Sequence, residues 1–249
     1  MHLADLGVAA WLLLVVGAIA VGFAKTAVGG VGALAVVAFA AAVPARNSTG
    51  ALLPLLLVGD IVAVTVYHRH ADRAVLMRLL PGVLPGLLLG VWFLAIADDT
   101  VMRRTIGAIL LAMTALQLWT RRSAGAQSGP RKSSPAITLA AGGAAGFATM
   151  TANAAGPVTT LYLLAAGLPM LEFLGTSAWF YLLVNAAKLP FSASLDLVSG
   201  DSLIVDALLV PALGLGVLIG LATVRRIDQA QFERAALVLS GLGAAALLL

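Results

Sequence analysis

Residues 76–97 read LMRLLPGVLPGLLLGVWFLAIA, and residues 203–224 read LIVDALLVPALGLGVLIGLATV. Either run is long enough to cross a bilayer, because about 20 apolar residues in a helix cover a hydrocarbon core of roughly 30 Å. A surface helix of a soluble domain would carry a polar face, whereas these are apolar all round. The two runs also share a pattern: Pro81, Gly86 and Gly90 in the first recur as Pro211, Gly216 and Gly220 in the second. A membrane-spanning, internally repeated chain is the reading that follows.

The rest of the sequence agrees with the first half of that reading. Hydrophobic residues make up 61% of the chain and charged residues 10%, against roughly 25% charged in ordinary soluble domains. That composition argues against a water-soluble enzyme and against disorder. The chain has no cysteine, which removes thiolate chemistry, Cys-ligated zinc and disulfides. The net charge of +4 comes from basic residues spread over the loops, a pattern of membrane orientation and not of nucleic-acid binding.

Ten apolar segments are expected: Leu6–Ala24, Ala27–Val43, Ala51–Tyr67, Leu76–Ala97, Val101–Thr120, Ala136–Thr149, Asn153–Leu168, Phe173–Leu189, Leu203–Val224 and Ala235–Leu249. The polar stretch Arg121–Pro135, RRSAGAQSGPRKSSP, is the one clear linker. It separates a first repeat, residues 1–120, from a second, residues 136–249, with 121–135 as a cytoplasmic connection. Met1–Leu6 has no Lys or Arg, so the amino terminus reads as part of the mature protein and not as a signal peptide.

Further matches follow the same order in both halves. Gly22-Phe23-Ala24 recurs as Gly146-Phe147-Ala148, Thr49-Gly50-Ala51 as Thr176-Ser177-Ala178, and Asp98 with Arg104 as Asp228 with Arg234. Five segments per copy is an odd number, which sets the second copy upside down in the membrane. Loop charges agree. With the linker inside, ten basic residues lie inside (Arg69, Arg73, Arg78, Arg121, Arg122, Arg131, Lys132, Arg225, Arg226, Arg234) and three outside (Arg46, Arg103, Arg104), as the positive-inside bias requires. Both termini then face outward. The first two segments of each copy are short and read either as spans or as a re-entrant hairpin; three full spans are still odd, so the inversion stands in both cases.

Charged residues deep in apolar segments mark function by default. Lys25 lies in GFAKTAVGGVG, ahead of Thr26, Gly29 and Gly30. A helix starting there would offer free N–H groups and a positive dipole end to an anion. The matching place in the second half carries Thr149, Thr151 and Asn153, whose hydroxyls and amide also donate to an oxyanion. Lys188 follows Asn185 by three residues and shares its helix face; its counterpart in the first half lies one residue beyond Asp60. Structural alternatives stand beside each. Lys25 could snorkel to the interface, Lys188 could pair with Asp60, and Asn185 could bond helix to helix. On the functional reading, Asp60 takes or releases a proton as a lysine meets its anion. Asp196, Asp201 and Asp206 read as an outer rim, Glu172 as a loop residue, and His68-Arg69-His70 as an orientation signal. No GxSxG, HExxH, Walker or GxGxxG motif is present, and no metal or cofactor is expected.

GFAKTAVGGVGALAV (22–36), GALLPLLLVGDIVAVTVYHRHAD (50–72) and RLLPGVLPGLLLGVWF (78–93), in that order, resemble the first half of the sulfite exporter TauE/SafE family. The linker, the GF…GP segment and GTSAWFYLLVNAAKLPF (175–191) resemble its second half. Where family members often carry a Gly-Gly run in the second copy, this chain has Asn153-Ala-Ala-Gly156-Pro157. The resemblance implies a multi-pass transporter of the cytoplasmic membrane that moves small sulfur oxyanions or organosulfonates, often outward.

The combined expectation is an all-α integral membrane protein of two inverted-topology repeats with about five helices each. It is a secondary transporter and not an enzyme, with Lys25, Thr26, Gly29, Gly30, Thr151, Asn153, Asn185 and Lys188 around the anion and Asp60 as the coupling group. A coupling ion, H+ or Na+, and a homodimer are compatible with it. A channel or a non-transporting scaffold is the competing class.

Overall fold

The computed structural model describes residues 6–27, 31–123 and 134–223, together with Val238, Leu242 and Ala245. Gly29, Gly30, most of the linker, the basic residues Arg225, Arg226 and Arg234, and nearly all of the tenth segment lie outside the described residues. Among the described residues the chain is all helix, with no strand.

The helices are α1 (Val8–Thr26), α2 (Gly32–Ala42), α3 (Ala45–Ala51), α4 (Leu53–Tyr67), α5 (Arg73–Ile96), α6 (Asp99–Ser123), α7 (Pro135–Ala152), α8 (Gly156–Ala165), α9 (Met170–Ser194) and α10 (Gly200–Thr223). Among the described residues, four stretches are long and apolar enough to span a membrane: Val8–Thr26, Ala45–His70, Arg73–Ile96 and Gly200–Thr223. The two expected apolar segments that opened the sequence reading are α5 and α10, within three residues at either end.

Four features differ from expectation. The first pair of segments is not two equal short pieces: α1 is a full span, while α2, with 11 residues, rises only about 16 Å. Its counterpart α8 is similarly short, at 10 residues. Secondly, the expected helix start at Thr26 is instead the end of α1, and α2 begins at Gly32. Thirdly, the third span starts early. The separate short helix α3 precedes α4, with Pro54 in the first turn of α4, where its missing N–H costs nothing. Glu172, expected in a loop, lies in the first turn of α9.

The most extensive helix packing is α5 against α7 and α1 against α10, so the principal contacts run between the halves of the chain and not within them. Glycines allow the backbones to touch. A Cβ added at Gly22 would lie 2.0 Å from the Leu213 carbonyl oxygen, and one at Gly216 would lie 2.1 Å from that of Ile19. In the other pair, a Cβ at Gly146 would lie 2.2 Å from the Val83 oxygen, and one at Gly86 would lie 2.1 Å from the Gly143 oxygen. Lipid offers no hydrophobic drive for helix association, so close van der Waals approach through small residues supplies it. Pro81 and Pro85 inside α5, and Pro211 inside α10, are tolerated because neighbouring helices cover the freed backbone.

These contacts set a stability test. Gly22→Ala and Gly86→Ala, with backbone in the way, should each lose about 2–4 kcal/mol of stability in detergent-unfolding titrations. Gly214, with nothing within 4 Å of an added Cβ, provides the contrast: Gly214→Ala should be neutral or gain up to about 1 kcal/mol.

Candidate functional site

The charged interior is assembled from four helices. Lys25 stands in the last turn of α1, Asp60 in the middle of α4, Asn185 and Lys188 on α9, and Thr149 in the last turn of α7. Asn153 follows α7 as its C-cap, in the left-handed conformation at φ 49°, which Asn tolerates and which ends a helix.

Asp60 is fully buried, and its two oxygens have separate partners. Lys25 Nζ forms an ion pair with Oδ1, and Asn185 Nδ2 donates to Oδ2 at 2.7 Å. The other end of the Asn185 amide accepts from Lys188 Nζ at 3.3 Å. Lys188 donates further to Thr149 Oγ1 at 3.3 Å and to Asn153 Oδ1. Asn153 is itself held in place by Nδ2 donating to the Thr49 carbonyl at 2.9 Å. An unbroken chain of bonds thus runs Lys25, Asp60, Asn185, Lys188, Asn153. An amide is the right link at position 185, since it presents a donor to the carboxylate and an acceptor to the ammonium at once.

The ion pair differs from the structural alternative considered for Lys188. Asp60 bonds directly to Lys25, and Lys188 reaches it only through Asn185. All three protons of the Lys188 ammonium can be used on neutral acceptors, and the residue is 1% exposed. Two ammonium groups therefore share one carboxylate, and the ionised cluster carries one positive charge in excess. An uncompensated charge in a dry interior is costly, and either loss of a lysine proton or an anion beside the cluster would offset it.

A cavity of about 170 Å³ adjoins this cluster, lined by Lys25, Asp60, Thr149, Asn153, Tyr181 and Asn185 among others. A single water needs roughly 10–15 Å³ on the same measure, so a small oxyanion fits with room for part of its hydration. The Lys25 ammonium also lies 4.7 Å from the centroid of the Tyr181 ring, a cation–π contact that turns the lysine head inward. The starts of α2 and α8, Gly32 and Gly156 with Pro157, border the same space.

The expected site residues divide into three groups. Lys25, Asp60, Asn153 and Asn185 line the cavity, and Lys188 stands one hydrogen bond behind it. Thr26 and Thr151 are fully buried but turn away. Thr26 Oγ1 donates to the Gly22 carbonyl at 3.0 Å and Thr151 Oγ1 to that of Phe147 at 2.8 Å, both one turn back in their own helices. Gly29 and Gly30 lie outside the described residues. Thr149, the counterpart of Lys25 at the 124-residue offset of the Gly-Phe-Ala match, also lines the cavity. Among the lining residues not read from the sequence, Tyr181 had a signal. Tyr181 lies four residues before Asn185 and seven before Lys188, on one helix face. Asp206, read as rim, is buried on α10.

A family model described as Sulfite exporter TauE/SafE matches residues 13–247. No curated protein and no solved structure matches the chain.

Removing the shared carboxylate should expose the balance of this cluster. Asp60→Asn leaves two ammonium groups without a counter-charge and should cost about 3–5 kcal/mol. Adding Lys25→Met to it should restore most of that loss. Detergent-unfolding titrations of the single and double variants read the coupling directly.

Proposed function

Because the chain belongs to the sulfite exporter TauE/SafE family, whose members carry sulfite and related sulfur anions across membranes, we propose that it is a secondary exporter of a small sulfur-containing anion. Sulfite and short organosulfonates are the substrates that suit it. The anion sits beside Lys25, with Asn153 and Asn185 donating or orienting and Lys188 supplying positive potential from behind. Asp60 holds the two lysines together and is a group through which proton or charge coupling acts at the anion site. The observation that carries this reading is a cluster of two lysines and one carboxylate beside a partly open cavity. An entering anion neutralises the excess charge of the ionised cluster, and a departing one restores the cost.

On this reading the halves 1–120 and 136–249 are inverted copies joined by a cytoplasmic linker at 121–135, both termini face outward, and the site lies where the copies meet. The matched contacts support the symmetry. Gly22 on Leu213 and Gly146 on Val83 are the same contact once 124 is added to the first residue and 130 subtracted from the second; Gly216 on Ile19 and Gly86 on Gly143 are related likewise. Alternating access then arises when one bundle rocks against the other around the cavity.

Three outcomes check the proposal. Lys25→Ala and Lys188→Ala should each abolish sulfite flux in proteoliposomes while membrane insertion is retained; unchanged flux in both rejects the site. Stimulation of wild-type flux by sulfite on the far side distinguishes a carrier from a pore. Since the chain has no native cysteine, Ser128→Cys should react with an impermeant maleimide only from the cytoplasmic side, and reaction from outside overturns the orientation.

A further inference from the structure

We propose that Asp206 is a proton-binding site, separate from the anion cavity, through which protons bias the position of α10; as a coupling device it rests on the transport reading above. Asp206 lies on the buried face of α10, with Val205, Leu209 and Leu213. It is 5% exposed, and neither carboxyl oxygen has a hydrogen-bond partner among the described residues. Buried polar groups are nearly always bonded, and one that is not calls for an explanation. Asp60 shows the ordinary solution in this same molecule: an ion pair on one oxygen and an amide on the other. Asp206 has neither.

The charged groups on the neighbouring helices do not serve it. α10 packs against α1, α4 and α3, which bring Lys25, Asp60 and Arg46. Gly220 lies against Thr26 and Gly216 against Ile19, so α1 and α10 run parallel, and Lys25 is about 14 residues along α10 from Asp206, roughly 20 Å. Asp60 is bonded to Lys25. The Arg46 guanidinium donates to the Leu94 carbonyl. On α10 itself, Asp201 is five positions earlier, and so on another face. Ser202, one turn earlier, donates its hydroxyl to the Ser199 carbonyl.

A carboxylate without a counter-charge in this setting must either bind a proton or move to water. A metal cation would need several oxygen ligands together, and no group of three His, Asp or Glu side chains able to share one exists among the described residues. Protonation thus favours the packed position of α10, and ionisation favours one in which its first third meets water. The same helix presses Gly216 and Gly220 onto the end of α1 that carries Lys25. Proton binding at Asp206 and the state of the anion cavity are therefore linked, and the linkage is reciprocal.

Infrared spectroscopy of the purified full-length protein, titrated with acid and base, tests the site itself. The expected result is a carboxylic-acid carbonyl band that titrates in wild type and is missing from Asp206→Asn, or from Asp206→Ala if the asparagine variant fails to insert. In proteoliposomes the same variant should still be stabilised by sulfite in a thermal shift, while accumulation driven by a pH gradient falls about tenfold or more. An identical band in wild type and variant, or undiminished gradient-driven accumulation, overturns the proposal. If wild-type vesicles move no sulfite, the transport reading fails by itself, and the infrared titration still decides whether Asp206 binds the proton.

Discussion

One buried carboxylate organises the interior. Asp60 is fully enclosed, and isolated charges do not survive in such places. Its two oxygens draw Lys25 from α1 and Asn185 from α9, and Asn185 draws Lys188. The ends of α1 and α7 and the middles of α4 and α9 are therefore held around one point. The cavity is the space left beside that point.

The glycine contacts give this arrangement its frame. Where α1 meets α10 and α5 meets α7, backbone lies on backbone, and the helices involved come from opposite halves of the chain. Neither half can pack its first helix without the other. A site placed where the two meet is then exposed to any relative movement of the helix pairs, which is the property a carrier needs. Packed interfaces of this kind exchange between discrete arrangements and do not deform smoothly.

Much of the fold was legible because the bilayer imposes length and hydrophobicity on every span. α5 and α10 could be read nearly to their ends, and the membrane class followed from composition. The recurrent glycines were visible too, but only as a sequence match; that they touch each other's partners across the halves was not. The helix start predicted at Thr26 failed because glycine-rich sequence near a lysine fits a helix end as well as a beginning. Asp206 was misplaced because a single acid early in an apolar run reads as a boundary marker. Which face of α10 it occupies depends on what packs there.

For the site, the residue types were readable and the partnerships were not. Lys25, Asp60, Asn185 and Lys188 stood out because charged and amide groups inside apolar helices are rare. Thr26 and Thr151 stood out equally, yet their hydroxyls satisfy carbonyls of their own helices, a local option open to any threonine in a helix. By itself the sequence determined the solvent, the element type and the list of polar groups that would have to be satisfied without water. Only the tertiary structure decided which group satisfies which. Hydrogen bonds and ion pairs form between residues as far apart in the chain as Asp60 and Asn185, and burial charges each one for being left alone.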